Sequence, residues 1–261
     1  MVNSTRVPIL DSGYCQYIEH YGSDERIIEA ARMSTGKGFL GWEPGICPTC
    51  NGSGYTEPYP RVNCNDCEGK GKIAGDINLL RRLWVKKHAT PFEMAGMIVE
   101  VAAPIMVFRE WVRHRTQSFN EMSGRYVALP DTNYIPSLER VMINAGTKNK
   151  QAGTIDGAEV LTEENAQIWR ALLEKHYHIQ QELYQWALDH GIPKELARVH
   201  LAVGRYSRMR AAANLRNWLA FLTLRMAPDA QMEIRLYANQ VGKLISEAFP
   251  RTWSLFMEGK A

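Results

Sequence analysis

Two stretches of the chain carry residues whose types and spacing can do chemistry. The first, RHRTQSFNEMSGRY, crowds Arg113, His114, Arg115, Ser118, Asn120, Glu121, Ser123 and Arg125 into one short run. Arginine forks suit phosphate oxygens, with which they form short charge-assisted bonds. Asn120 and Glu121 can bond ribose hydroxyls or a base edge, and Ser123-Gly124 offers a hydroxyl beside closely approachable backbone N–H groups. These types predict an anionic-ligand site, against the alternative of a solvated loop with a run of charges. The second stretch reads CPTCNGSG, a spacer, then CNDCEGKG. Cys47, Cys50, Cys64 and Cys67 form two Cys-x-x-Cys pairs, and two residues between thiolates let one tight turn set both sulfurs on a tetrahedral zinc ion. Gly52, Gly54, Gly69 and Gly71 follow the pairs, where the chain must fold back. A redox pair or chance clustering accounts poorly for both doublings. With every ligand position filled by cysteine, the zinc is expected to be structural and non-catalytic.

The elements that must position these groups are legible in outline. Residues 5–20 read as short strands, and Ser23 or Asp24 caps a helix containing Ile27, Ile28, Ala30 and Ala31. From Gly36 to Gly75 glycine and proline become frequent and helical periodicity vanishes, so 45–72 is expected to be an inserted module of a single 1–261 domain. Leu79, Leu80, Leu83 and Trp84 give a helix from Asp76, and Thr90-Pro91 breaks it or starts the next element. Met97–Ala103 is a candidate buried strand. Pro104 suits the first turn of a helix delivering Arg113 and Arg115 to the end of a core element. Residues 142–158 read as a polar loop. Glu163–His190 is the clearest helix, striped by Trp169, Leu172, Leu173, His176, Ile179, Leu183 and Trp186. Helical patterns also cover 193–202, 214–225 and 229–248. The fold class is helix-rich α+β (α/β) with a small sheet.

Bulk properties narrow the function. The 261 residues hold 31 basic and 28 acidic side chains, a net charge of +3, which argues against a nucleic-acid coat protein while leaving room for a basic pocket. No apolar run reaches the roughly 18 residues of a membrane span, and MVNSTRVPIL lacks the regions of a signal peptide. Cysteines in metal spacing suit a reducing compartment, so a cytoplasmic protein is expected. Cys15 has no basic neighbour to make it a thiolate and reads as a core or surface thiol. Ser123 lacks a paired base and reads as a phosphate ligand rather than a nucleophile. Met94, Met97 and Met106 and most of the tryptophans read as core, and His176, His178, His190 and His200 as packed or surface histidines. Arg205, Arg208 and Arg210 are either a solvated strand face or contacts to a phosphate or folate tail.

Arg-His-Arg, seven residues, then Ser123, with Asn120-Glu121 and Arg125-Tyr126, resembles the signature of the flavin-dependent thymidylate synthases. The resemblance extends through ARMS at 31–34, HATPFE at 88–93, Ala197-Arg198, NLR at 214–216, FLTLR at 221–225 and AQMEI at 230–234, covering nearly everything except the cysteine insert. The insert itself is similar to half a unit of the cysteine-rich region of J-domain co-chaperones. The family resemblance implies conversion of dUMP to dTMP, with carbon from methylenetetrahydrofolate and hydride from FAD reduced by NADPH, in a homotetramer whose sites are shared between subunits. It implies flavin contacts by Ser34, His88, Thr90, Arg113, His114, Arg115, Asn120, Glu121, Asn214 and Arg216. It places Glu110, Arg113, Glu121, Ser123, Gly124, Arg125, Arg198 and Arg225 on the nucleotide side, with Arg225 activating the uracil. Four departures stand out: Glu110 for a frequent glutamine, Ala220 for a flavin-contacting asparagine, Asp229 for a histidine and Ala202 for a proline. They raise the alternative of a related uridylate methylase or hydroxymethylase acting on UMP or giving another product. A zinc-stabilised nucleic-acid- or protein-binding module is the rival from another class, motivated by the insert with Arg61, Lys70 and Lys72.

Overall fold

A computed structural model describes residues 5–143 and 161–259; most of the loop expected over 142–158 lies outside them. The first strands, β1 (Val7–Ile9) and β2 (Gly13–Tyr21), lead into α1 (Asp24–Arg32), whose N-cap is Ser23. The cysteine segment contributes β3 (Gly45–Ile46), β4 (Tyr55–Pro58), β5 (Arg61–Asn63) and β6 (Lys72–Ile73). Next come α2 (Asp76–Val85), a 3-10 turn over Thr90–Met94, β7 (Gly96–Pro104), α3 (Ile105–Trp111), β8 (Ser118–Glu121) and α4 (Leu138–Met142). The remainder is α5 (Glu163–Asp189), α6 (Lys194–Ala197), β9 (Tyr206–Asn214), α7 (Leu215–Arg225), α8 (Met232–Ala248) and α9 (Pro250–Glu258). This is a helix-rich α+β architecture, as the sequence predicts. No helix among the described residues is long and apolar enough to cross a membrane.

The main sheet has five antiparallel strands in the order β1-β2-β7-β9-β8. Alternation along β7 turns Met97, Val99, Val101 and Ala103 inward, opposite Ala213, Ala211, Met209 and Ser207 of β9. Helices α3, α7 and α8 cover that face. Trp111 stacks on Phe221 at 4.8 Å, Trp218 meets both edge-on, and Trp218 donates to the Met97 carbonyl at 2.9 Å. Tyr237 donates to the Ala102 carbonyl at 2.7 Å, and a Cβ at position 13 would lie 2.1 Å from its hydroxyl, so only glycine fits there. Cys15 is fully buried and its thiol is pushed up to about 12 by that burial, the inert core thiol of the two readings.

The structure corrects the sequence reading at several places. The apolar stripe of α5 does not face the core: Leu172 and Trp186 are 60% and 55% exposed, with Trp169, Ile179 and Leu183 also open. The helix instead buries Ala166, Tyr177, Tyr184 and Ala187, because the tyrosines find polar partners inside; Tyr184 accepts from Leu129 N at 3.1 Å and Tyr177 donates to the Tyr134 carbonyl at 3.3 Å. Helical periodicity alone does not say which apolar face meets the protein's own core. Met94 is 52% exposed, unlike the buried Met97. The pattern over 193–202 forms helix only at Lys194–Ala197, since Gln180 of α5 takes the His200 ring and the Ala202 amide as partners. Pro104 ends β7 and caps α3 rather than occupying its first turn. The C-terminal α9, begun by Pro250, has no counterpart in the sequence reading.

Helix α9 is tied to α1 by Asp24. Its carboxylate is buried and accepts from Arg251 N at 2.8 Å, Thr252 N at 3.2 Å and Thr252 Oγ1 at 2.6 Å. A carboxylate meeting the unsatisfied N–H groups of a helix start is favoured by charge as well as by hydrogen bonds. The variant Asp24→Ala is expected to lose about 2–3 kcal/mol, the usual cost of a removed cap that leaves buried donors unpaired. Chemical denaturation with an unchanged m-value measures it, and a midpoint equal to that of the parent contradicts it.

Candidate functional site

Helix α3 ends where its buried residues Val107, Phe108 and Trp111 give way to exposed Val112 and Arg113. The chain then turns tightly, with His114 N on the Trp111 carbonyl at 3.0 Å and Gln117 N on the His114 carbonyl at 3.3 Å, before entering edge strand β8. The turn throws Arg113 and Arg115 outward and His114 inward, edge-on to Phe221 at 4.9 Å. There His114 Nε2 accepts from Arg225 Nε at 3.0 Å. Arg225, last residue of α7, also gives Nη1 to Glu110 Oε2 at 3.0 Å and Nη2 to the Glu110 carbonyl at 3.2 Å. Burial, reinforced by the Arg225 charge, lowers His114 to about 4. The ring is therefore neutral, with its proton on Nδ1 and that N–H available to a ligand. Burial raises the Glu110 carboxyl above its ordinary range, opposed by Arg225 and aided by the negative charge of Glu233. The guanidinium spends three of its five N–H groups inside this triad.

A second group forms beyond β8. Gly124 sits so tightly on Arg198 that an added Cβ would lie 3.1 Å from its Nη1. Ser123 Oγ accepts from Arg125 N at 3.3 Å, and Arg125 forms an exposed 3.3 Å ion pair with Glu195. Ser123, Gly124, Arg125 and Arg198 are thus one cluster, and no hydrogen bond or ion pair among the described residues joins it to Glu110–Arg225–His114.

The third group gathers at the start of α7. Leu215 N binds the Ala95 carbonyl at 2.7 Å, fixing the helix against the Thr90–Met94 turn. Arg216 pairs with Glu93 at 2.5 Å, and Asn217 reaches the Thr116 carbonyl at 2.9 Å, bringing the Arg113–Arg115 turn alongside. Asn214 caps the helix, its Oδ1 accepting from Asn217 N at 3.0 Å. Ser34 follows α1, which packs against the same Thr90–Met94 turn; His88 stands exposed before it. Ala220 is exposed on a cleft of 530 Å³ lined by Trp84, Phe92, Arg216 and Leu219. Asn120 and Glu121 lie elsewhere, on edge strand β8 opposite Arg210 and Met209, and line a 320 Å³ cleft with Glu100, Arg208 and Arg210. Of the ambiguous arginines, Arg205 is a buried structural residue held by Gln181 at 2.6 Å, whereas Arg208 and Arg210 are exposed on β9, Arg210 paired with Glu100 at 3.2 Å.

Sequence reasoning gave no site role to Gln117 or Glu93, though both fall inside the matched segments. Gln117 is buried, accepts from Trp111 Nε1 at 3.0 Å and leaves its Nε2 unpartnered. Its signal was an uncharged amide set beside a tryptophan that needs an acceptor. Glu93 had no local signal, because its partner is distant in sequence.

The four cysteine sulfurs lie within 4.8 Å of one another, with Cys47–Cys64 at 3.8 Å and Cys50–Cys67 at 3.6 Å. A tetrahedron of sulfurs each about 2.3 Å from zinc has edges of about 3.8 Å. Gly54 N and Gly71 N point at Cys50 and Cys67 Sγ at 3.3 and 3.2 Å, which favours thiolates. Both glycines have positive φ, 82° and 69°, and a Cβ on either would strike a backbone oxygen at 2.4 or 2.3 Å.

Residues 16–251 match the family described as "Thymidylate synthase complementing protein". A flavin-dependent thymidylate synthase of Thermus thermophilus is 34% identical over 97% of this chain and 78% of its own. One from Ehrlichia ruminantium is 30% identical over 96% and 72%. Among solved structures, a UMP/dUMP methylase, PolB of Streptomyces cacaoi, bound with 5-Br UMP superposes with a TM-score of 0.73 at 27% identity, covering 96% of each chain. With a family match over residues 16–251 and a relative 34% identical over 97% of this sequence, the chain belongs to the thymidylate synthase complementing protein family, that of the flavin-dependent thymidylate synthases.

Proposed function

We propose that the chain, as one 1–261 domain carrying 45–72 as a zinc-binding insert, converts dUMP to dTMP. Methylenetetrahydrofolate gives the carbon and NADPH reduces the bound FAD. The observation that carries this reading is a set of arginines left without protein partners. Arg113, Arg115 and Arg198 have no side-chain hydrogen bond or ion pair among the described residues, whereas Arg140, Arg205, Arg210, Arg216 and Arg225 all do. Unpaired guanidinium groups of Arg113 and Arg115 alongside the α7 start fit the diphosphate of FAD, and that of Arg198 against Gly124 fits the phosphate of a nucleotide. FAD, once bound and reduced, supplies the hydride.

The chain's own residues then divide the work. Arg113, Arg115 and the α7 start with Asn214 and Arg216 hold the flavin side, with Ser34, His88 and Thr90 around it, and Asn120 and Glu121 serve the flavin from their separate cleft in a site shared between subunits. Ser123, Gly124, Arg125 and Arg198 hold the nucleotide phosphate. Arg225 turns its two remaining N–H groups to the uracil carbonyl, stabilising negative charge that develops on the ring during substitution at C5. Glu110 fixes Arg225 in place, and His114 offers Nδ1–H. A cytoplasmic setting keeps the four thiols reduced for zinc.

A second reading has one observation in its favour. The Glu110 carboxylate replaces a neutral amide and can accept from a ribose hydroxyl, and the superposable PolB is a UMP/dUMP methylase. Reductant-dependent tritium release from 5-tritiated dUMP and UMP, with methylenetetrahydrofolate and FAD, separates the two. Release from dUMP alone is expected. Equal or faster release from UMP selects the second reading, and a colourless protein that takes up no FAD and releases no tritium removes both. Replacing Arg225 by lysine is expected to lower kcat by about 10²–10³, the usual cost of one donor aimed at developing charge.

The His114 assignment has its own check. With its ring lowered to about 4, it stays neutral and Nδ1-protonated through the range of about pH 5–8 where an ordinary histidine titrates. Nitrogen-15 spectra in which the His114 ring, identified by its loss in His114→Gln, titrates near pH 6.5 contradict the triad geometry.

The outward stripe of α5 supports assembly into a homotetramer with shared sites, since an exposed row of Ile168, Leu172, Ile179, Leu183 and Trp186 is a large apolar face for a monomer to leave in water. The double variant Leu172→Glu/Leu183→Glu is expected to shift light-scattering mass below the tetramer with helix content kept. An unchanged mass rejects this face as an interface.

A further inference from the structure

We infer that the metal held by Cys47, Cys50, Cys64 and Cys67 sets the position of the Met33–Leu40 arm, and with it Ser34, so that losing the metal weakens flavin binding without removing a flavin contact. The flavin half of this inference rests on the function proposed above; the coupling of metal to arm does not.

The 45–73 excursion has no core of its own. Its buried cluster is the four cysteines with Ile73 packed against them. Its strands pair over a few residues in two separate two-stranded sheets, and β3 and β5 are exposed along their length. Two short ladders do not outweigh the entropy of closing so long a loop, and thiolate–metal bonds are what remains to do it. The loop closes at β3–β6, where Gly45 faces Ile73 and Ile46 faces Lys72, and at Cys47 N on the Gly71 carbonyl at 2.9 Å.

That closure sets two chain segments against each other, and the arm is one of them. Beyond Ile73, a Cβ on Gly75 would lie 2.6 Å from the Trp42 carbonyl, so the chain leaving the module presses on the chain approaching it. Asp76 N then binds the Gly41 carbonyl at 2.8 Å. The Asp76 carboxylate is fully buried; it accepts from Leu40 N at 2.8 Å and forms an ion pair with Arg32. Arg32 in turn holds the Gly38 carbonyl at 3.2 Å and ends α1 just before Ser34. A second strap crosses directly: Lys37 pairs at 3.1 Å with Glu68, the neighbour of Cys67. The arm is thus clamped between α1 and the residues that leave the metal site. Helix α1 rests on the Thr90–Met94 turn, so displacement of the arm is felt beside Thr90 and the α7 start.

The test uses the purified full chain. Metal analysis is expected to give about one zinc per chain, as four cysteine ligands require. After zinc removal by a chelator, the amides of residues 36–41, Leu40 above all, are expected to exchange hydrogen at least about tenfold faster. In a fluorescence titration the Kd for FAD is expected to rise about tenfold, and added zinc to restore both. Glu68→Gln, which leaves every ligand in place, is expected to keep zinc and quicken exchange at 36–38 alone. Absence of stoichiometric metal, or unchanged Leu40 exchange after its removal, overturns the coupling of metal to arm. A loosened arm with unaltered FAD affinity overturns its extension to the flavin. A zinc-loaded protein that binds no FAD overturns the functional reading instead, and the exchange data then decide the metal–arm coupling alone.

Discussion

The site depends on where the Arg225 guanidinium is allowed to sit. A half-buried positive charge is costly unless it is paired, and Glu110 pairs it through both carboxylate and carbonyl while His114 takes a third N–H. This contact joins the last turn of α3 to the last residue of α7. It therefore fixes the relation between two of the three helices that cover the sheet, and it fixes His114 in one tautomer. The aromatic stack of Trp111, Phe221 and Trp218 beneath it works in the same direction, since its packing leaves the arginine little room to move.

The same economy governs the other charges. Those that hold the fold are satisfied internally: Asp24 on α9, Asp76 on Arg32, and Glu233 on Arg140 at 2.7 Å and Tyr134 at 3.0 Å. Arginine bonds keep the Glu233 carboxyl below its ordinary range despite burial. That pairing is thus intact above the usual carboxylate range and is lost only as pH falls through the lowered value. On the ligand side Arg125, Arg216 and Arg225 each keep one carboxylate partner, whereas Arg113, Arg115 and Arg198 have none among the described residues.

Much of this was written in local sequence. Ser23 and Asp76 announce their helices, β7 shows as an apolar run, and the doubled Cys-x-x-Cys with its glycines fixes a cluster that the structure closes to 3.6 and 3.8 Å. The signature identified Arg113, His114 and Arg115 but not that His114 alone turns inward, because that depends on Arg225 more than a hundred residues away. The outward face of α5 was invisible for a different reason: a helix with apolar residues on two sides does not declare which side meets its own core. Partners such as Glu93 for Arg216 and Asp24 for Thr252 have no signal within a window of sequence, since each belongs to tertiary contact only.

Strand order has a consequence for the life of the newly made chain. The centre of the sheet, β7, pairs on one side with β2 but on the other with β9, whose last residue is Asn214, and Asp24 finds its partners only at Arg251 and Thr252. While the ribosome is still adding the second half, β7 offers a bare hydrogen-bonding edge, and α1 has a carboxylate waiting in an unfinished core. Topology of this kind folds slowly, because distant ends must meet before their contacts return any free energy. The growing chain is exposed to strand-edge aggregation until synthesis is nearly complete.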